Sequence, residues 1–135
     1  MSGSVTINLY AGWIGLFLGS LSGIITGLFF HDEKWMGGYA SWPRRMIRLG
    51  HISLFGLGLI NLVFGLTVRA LAIAPELAAW SRTGVSSVLL IVGAVTMPLV
   101  CYGSAWRKGL RHLFALPALA VTFGIGLFLW RIVSV

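Results

Sequence analysis

The side chains best suited to coordination chemistry in this sequence are three histidines and one cysteine: His31, His51, His112 and Cys101. Met97 precedes Cys101 by one helical turn, so the two share a helix face. Imidazole, thiolate and thioether form the soft donor set that suits copper. Two facing helical histidines would instead suit a b-type haem. His51 and His112 are the pair whose neighbours fit, because Arg48, Arg107 and Arg111 stand close enough in sequence to neutralise propionates. The spacing matches no paired Cys-x-x-Cys metal signature. A histidine near a helix end also serves at headgroup level, bonded to a loop or to water. Three expectations follow: haem b on His51 and His112; a metal ion on His51, Met97, Cys101 and His112; or a structural role for all of them.

Other chemistries find little support. No phosphate-cradling glycine loop ends in Lys-Ser/Thr. The three acidic residues, Asp32, Glu33 and Glu76, all stand outside the apolar stretches, which argues against a proton-coupled carboxylate pump. Asn61 lies within an apolar stretch, on the face shared by His51, Gly58 and Gly65. An unpaired amide there is expensive, so Asn61 is expected to face inward and bond another helix.

The elements that must position these residues are hydrophobic spans. Hydrophobic residues make up 58% of the chain and charged residues 10%, against about 25% charged in soluble domains. Four apolar stretches, 9–30, 47–73, 83–105 and 110–130, each approach the ~20 residues that cross a hydrocarbon core. The fold expected is an all-α integral membrane protein, a four-transmembrane-helix up-and-down bundle in one domain, 1–135. The first stretch reads as a retained helix, since no positive residue precedes it.

Helix direction brings all three histidines and Cys101 to one end. That end also carries Lys34, Arg44, Arg45, Arg48, Arg107, Lys108 and Arg111, against only Arg69, Arg82 and Arg131 at the other. Positive loops stay in the cytoplasm. The basic end is therefore expected to be cytoplasmic, with both termini non-cytoplasmic, in an inner or plasma membrane. The net charge of +7 reads as topology signal and lipid contact, not as a nucleic-acid surface. Aromatic residues mark both interfaces: Trp35, Tyr39, Trp42, Tyr102 and Trp106 at the basic end, and Tyr10, Trp13, Trp80 and Trp130 opposite.

Packing signals complete the reading. Small residues recur every fourth position at Ala11, Gly15, Gly19, Gly23 and Gly27, and a shorter row runs Leu116-Ala120-Gly124. Such rows allow close backbone approach, within the monomer or through self-association of the first helix. Pro98 and Pro117 are expected to open two helices at matching depth. Pro75-Glu76 fits the start of a short interfacial helix. Asp32 and Glu33 are expected to pair with Lys34 or the Arg44/Arg45/Arg48 group, within an ordered, partner-facing first loop. The leading functional expectation is an accessory or structural subunit packed on other membrane subunits. A haem- or metal-binding redox module and a homo-oligomeric transporter or channel are the alternatives.

Overall fold

The computed structural model describes residues 3–71 and 82–134. Its elements are α1 (Gly3–Phe29), α2 (Trp42–Ala70), α3 (Arg82–Trp106) and α4 (Ala115–Val133), with 3-10 turns at Trp35–Gly37 and Lys108–Phe114. There is no strand among the described residues. Each helix, α4 taken with the 3-10 segment before it, is long and apolar enough to cross a membrane. The Pro75-Glu76 helix start, Trp80 and residues 72–73 of the second predicted span lie outside the described residues.

Three helix starts differ from expectation, each for a local reason; α2 opens at Trp42, five residues before 47, because Ser41 caps it and Pro43 fits its first turn. α1 begins at Gly3, which takes Asn8 into the helix. The fourth predicted span opens as 3-10 turns and becomes α-helical only at Ala115. Pro117 has no N–H to bond back to Leu113, so the α-helical ladder starts around it. Pro117 therefore sits in a first turn, where its missing donor costs nothing. Pro98, inside α3, is the proline that interrupts a helix.

α2 and α3 form the centre. Of their apolar windows 39% is buried, against 11% for α1 and 17% for α4. α1 packs along α2 and, over a shorter stretch, on α3, while α4 packs along α3. α4 also meets α2 where Phe64 and Phe128 contact edge to face at 4.6 Å, beside Val68 and Leu90. α1 and α4 share no packed interface. α1 and α4 thus flank the central pair, α1 mainly on α2 and α4 mainly on α3.

A polar lock ties α1, α2 and α3. Asn8 Nδ2 donates to Asn61 Oδ1 at 2.7 Å and to the Ser87 carbonyl at 3.3 Å. Ser87 Oγ donates to Asn8 Oδ1. Asn61 Nδ2 donates to the carbonyls of Leu57 at 2.9 Å and Leu90 at 3.2 Å. Both carboxamides are fully buried and both have donor and acceptor engaged, which removes the penalty of placing amides in an apolar medium. Asn8 and Ser87 stand near the starts of α1 and α3, so the lock lies towards the end opposite the basic loops. The sequence alone places Asn61 nearer the middle.

Glycines set the α1–α2 seam. Leu62 fits over Gly12, the Gly58 backbone over Gly15, the Phe55 ring over Gly19 and the His51 ring over Gly23. The expected row of every fourth residue departs from this seam at both ends. A helix turns once per 3.6 residues, so each step of four drifts by about 40°. Ala11 rotates towards α3, and Gly27 has nothing within 4 Å of its would-be side chain. Gly12 takes the place expected of Ala11. The same drift on α4 buries Pro117, Ala120 and Gly124 and leaves Leu116 exposed.

A Cβ on Gly58 would stand 3.0 Å from the Gly12 carbonyl oxygen and 3.2 Å from Leu16 N, both backbone atoms. Gly58→Ala is therefore expected to destabilise by about 1–3 kcal/mol, read by unfolding in mixed detergent. Gly27→Ala should leave stability unchanged or raise it by up to ~1 kcal/mol through helix propensity. For the lock, Asn8→Leu and Asn61→Leu are each expected to cost about 1–2 kcal/mol. The double variant should cost less than their sum, since each single change strands the other's amide.

Candidate functional site

The basic end is organised around Arg44, which is 2% exposed. α2 starts beneath it: Ser41 Oγ accepts from Arg44 N, and Pro43 occupies the first turn. The guanidinium reaches up to the carbonyls of Phe30 at 3.1 Å, Asp32 at 3.3 Å and Glu33 at 3.4 Å. It also lies 4.7 Å from the centre of the Phe30 ring. These carbonyls continue the end of α1, where helix acceptors lack partners and the dipole favours a cation. The expected pairing of Asp32 and Glu33 with neighbouring cations takes a different form. Arg44 uses their backbone oxygens, and the Asp32 carboxylate accepts from Lys34 N at 2.9 Å in a local turn.

The rest of the first loop is equally specific. Trp35 stacks on Phe29 at 5.5 Å. Met36, Gly37 and Gly38 take positive φ in succession, a turn that two glycines make affordable. Ser41 Oγ donates back to the Met36 carbonyl at 2.7 Å. Trp42 Nε1 donates to the Ser104 carbonyl at 2.8 Å, one of the last carbonyls of α3, and this fastens the loop to that helix.

His51 and His112 are not brought together. His51 is a packing residue of the α1–α2 seam, resting on Gly23 and meeting Phe55 edge-on at 5.3 Å. His112 is exposed on the 3-10 segment, which packs on α3 and α4. Arg48 turns to the loop, with its guanidinium 4.0 Å from the Tyr39 ring centre and donating to the Tyr39 carbonyl at 3.4 Å. Arg107 and Arg111 are exposed. His51 Nδ1 is sealed without a hydrogen-bond partner, whereas a ligating histidine ordinarily has its second nitrogen oriented by an acceptor. These residues do not fit a bis-histidine haem. Cys101 is fully buried against Gly50 of α2, Met97 is half-buried on α3, and His31 is exposed beyond α1. Among the described residues no three His, Cys, Asp or Glu side chains cluster as a metal site.

Among the described residues, two hollows lie beside the end of α1. The smaller, about 290 Å³, lies between α1 and α2 and is lined by Gly23, Thr26, Gly27, Phe30, Arg48, His51 and Ile52. The larger hollow, about 710 Å³, is an apolar groove between α1 and α3, with Ile47 and Leu54 of α2 at its base. Its hydroxyls are already engaged: Ser22 Oγ and Tyr102 OH are 2.6 Å apart, and Thr26 donates to the Ser22 carbonyl at 2.8 Å.

Three residues matter in ways their sequence positions do not single out, Arg44 and Tyr102 at this end and Asn8 at the other. Arg44 was one of seven cations with nothing to single it out. Tyr102 read as an interface anchor, and its bond to Ser22 crosses between helices. Asn8 precedes the apolar stretch 9–30, although it is the second Asn in the chain and the natural partner for Asn61. Comparison with models of known families, with characterised proteins and with solved structures returns no match to this chain.

Arg44→Lys keeps the charge but loses the fork that spans three carbonyls. It is expected to cost about 1.5–3 kcal/mol and to open residues 31–41 to limited proteolysis, while Arg45→Lys, at an exposed position, leaves the cleavage pattern unchanged.

Proposed function

We propose that this chain is an integral membrane protein, its basic end cytoplasmic and both termini on the other side, that serves as an accessory or structural subunit of a larger membrane assembly. The observation that supports this is a seam on the outer face of α1. Tyr10, Ile14, Phe17, Leu21, Ile24 and Leu28 alternate steps of four and three, and all six are exposed. The stripe runs beside the exposed Ile7, Trp13, Leu18, Ile25 and Phe29 of the same helix, and its Ile14 and Leu21 also border the groove towards α3. A sustained 4-3 spacing of large apolar knobs is the pattern that supercoils with a second helix. In lipid, where apolar burial gives no drive, such packing is what holds helices together. The partner is accordingly a transmembrane helix of another subunit. The orientation rests on the seven-to-three distribution of cations between the two ends.

The test is native mass spectrometry of the chain extracted in discs of its own lipid. The expected result is a stoichiometric complex whose mass is not a multiple of the chain's own. Phe17→Ala with Ile24→Ala should release the partner and leave the stability of the chain within about 0.5 kcal/mol, as for exposed positions generally. A lone monomer would sink the proposal. Masses at whole multiples of the chain would replace it with the homo-oligomeric alternative.

A further inference from the structure

The groove between α1 and α3 has a length, a closed end and a charged mouth, and together these select an occupant. Its α1 wall runs from Ala11 to Phe29 and its α3 wall from Ala94 to Trp106, about 27 Å and about 18 Å at about 1.5 Å per residue, so both walls are present together only over the shorter length. A transmembrane helix would need about 30 Å of groove to cross the hydrocarbon core, and one leaflet provides about half of that. At the far end α1 and α3 are drawn together by the bonds from Asn8 to Ser87, which close the groove just beyond Ala11. Its length suits an acyl chain from the basic side.

The walls agree with hydrocarbon. Leu18, Ile25 and Phe29 of α1 face Val95, Pro98 and Leu99 of α3. The Ser22–Tyr102 pair satisfies itself and asks nothing of a ligand. Trp35 and Trp106 stand at the mouth, where indole rings favour the headgroup level. Their sequence neighbours Lys34, Arg107 and Lys108 are all exposed. Arg44 is buried on carbonyls and Arg48 is turned onto Tyr39, so these three cations are the ones beside the mouth left to meet an anion.

We propose that this groove binds an anionic phospholipid of the leaflet at the basic end, one acyl chain lying between α1 and α3 and the phosphate held by Lys34, Arg107 and Lys108. The proposal rests on the chain being a membrane protein but not on its having a protein partner.

The experiment adds phosphatidylglycerol or phosphatidylcholine to the detergent-purified full chain and counts bound lipids by native mass spectrometry. One phosphatidylglycerol per chain is expected, favoured about tenfold over phosphatidylcholine. Ala94→Phe fills the base of the groove and should lower binding about tenfold. Leu99→Trp does so from a position already 64% exposed, where folding is not at stake, and helix content by circular dichroism confirms that. Lys34→Glu with Arg107→Glu and Lys108→Glu should keep lipid binding and abolish the preference for the anionic headgroup. Equal binding of both lipids to the unmodified chain, undiminished binding to Leu99→Trp, or a second copy bound in place of lipid would each overturn the proposal. Recovery of the chain in the aqueous phase without detergent would sink the membrane reading together with it. A folded, detergent-dependent chain with no lipid preference would sink this proposal alone.

Discussion

Where two helices are pinned decides where they part. Asn8 reaches Asn61 on α2 and Ser87 on α3 from near the start of α1. The bonds are buried and mutually satisfied, so that end of the three-helix contact has little freedom to slide. α1 must then follow α2 along its glycines, because Gly12, Gly15, Gly19 and Gly23 each admit an α2 side chain or backbone. It cannot follow α3 as well. The helix is held at one end by a carboxamide and along its length by glycines, and further up it meets α3 through the long side chain of Tyr102 on Ser22, with the apolar groove lying between the two helices.

The hollow on the other flank of α1 has a related origin. A four-residue repeat on a 3.6-residue helix precesses. By Gly27 the small face has turned away from α2, and nothing fills the place a side chain would take. His51 sits at the last point where the seam still closes, its ring on Gly23. That explains why a histidine one turn further from the helix end than a headgroup-level residue is tolerated: its ring packs as an aromatic knob between Gly23 and Phe55.

How much of this was legible in the sequence follows from the range of each signal. Hydropathy is a property of whole segments, so the four helices were readable, and an amide inside an apolar run announced that Asn61 needed a partner. Contacts between segments were not readable. The partner, Asn8, is hidden because the apolar stretch begins only at Leu9, although hydrogen-bonded helices run on past the last hydrophobic residue. The two rows of small residues identified the right helices and misplaced their own ends, since the drift per turn depends on the partner that is followed. The histidines were grouped by depth alone. Depth is given by position along a helix, but facing requires rotation about it, and there His51 and His112 part company.

Charge shows the same limit and carries the argument furthest. Seven cations at one end form a single signal in sequence, but the fold divides them by what they touch. Arg44 is spent on three carbonyls and a ring, and Arg48 on Tyr39. Each is fixed by the first loop, whose two glycines permit the turn that brings those groups down to α2. The remaining cations stay exposed, and three of them are chain neighbours of the tryptophans at the groove's mouth. A loop that neutralises its own interior cations with backbone and aromatic groups, and not with its two carboxylates, leaves the positive field of the rest uncompensated. In a bilayer the nearest species able to answer that field is the phosphate of a lipid whose chain already has somewhere to lie.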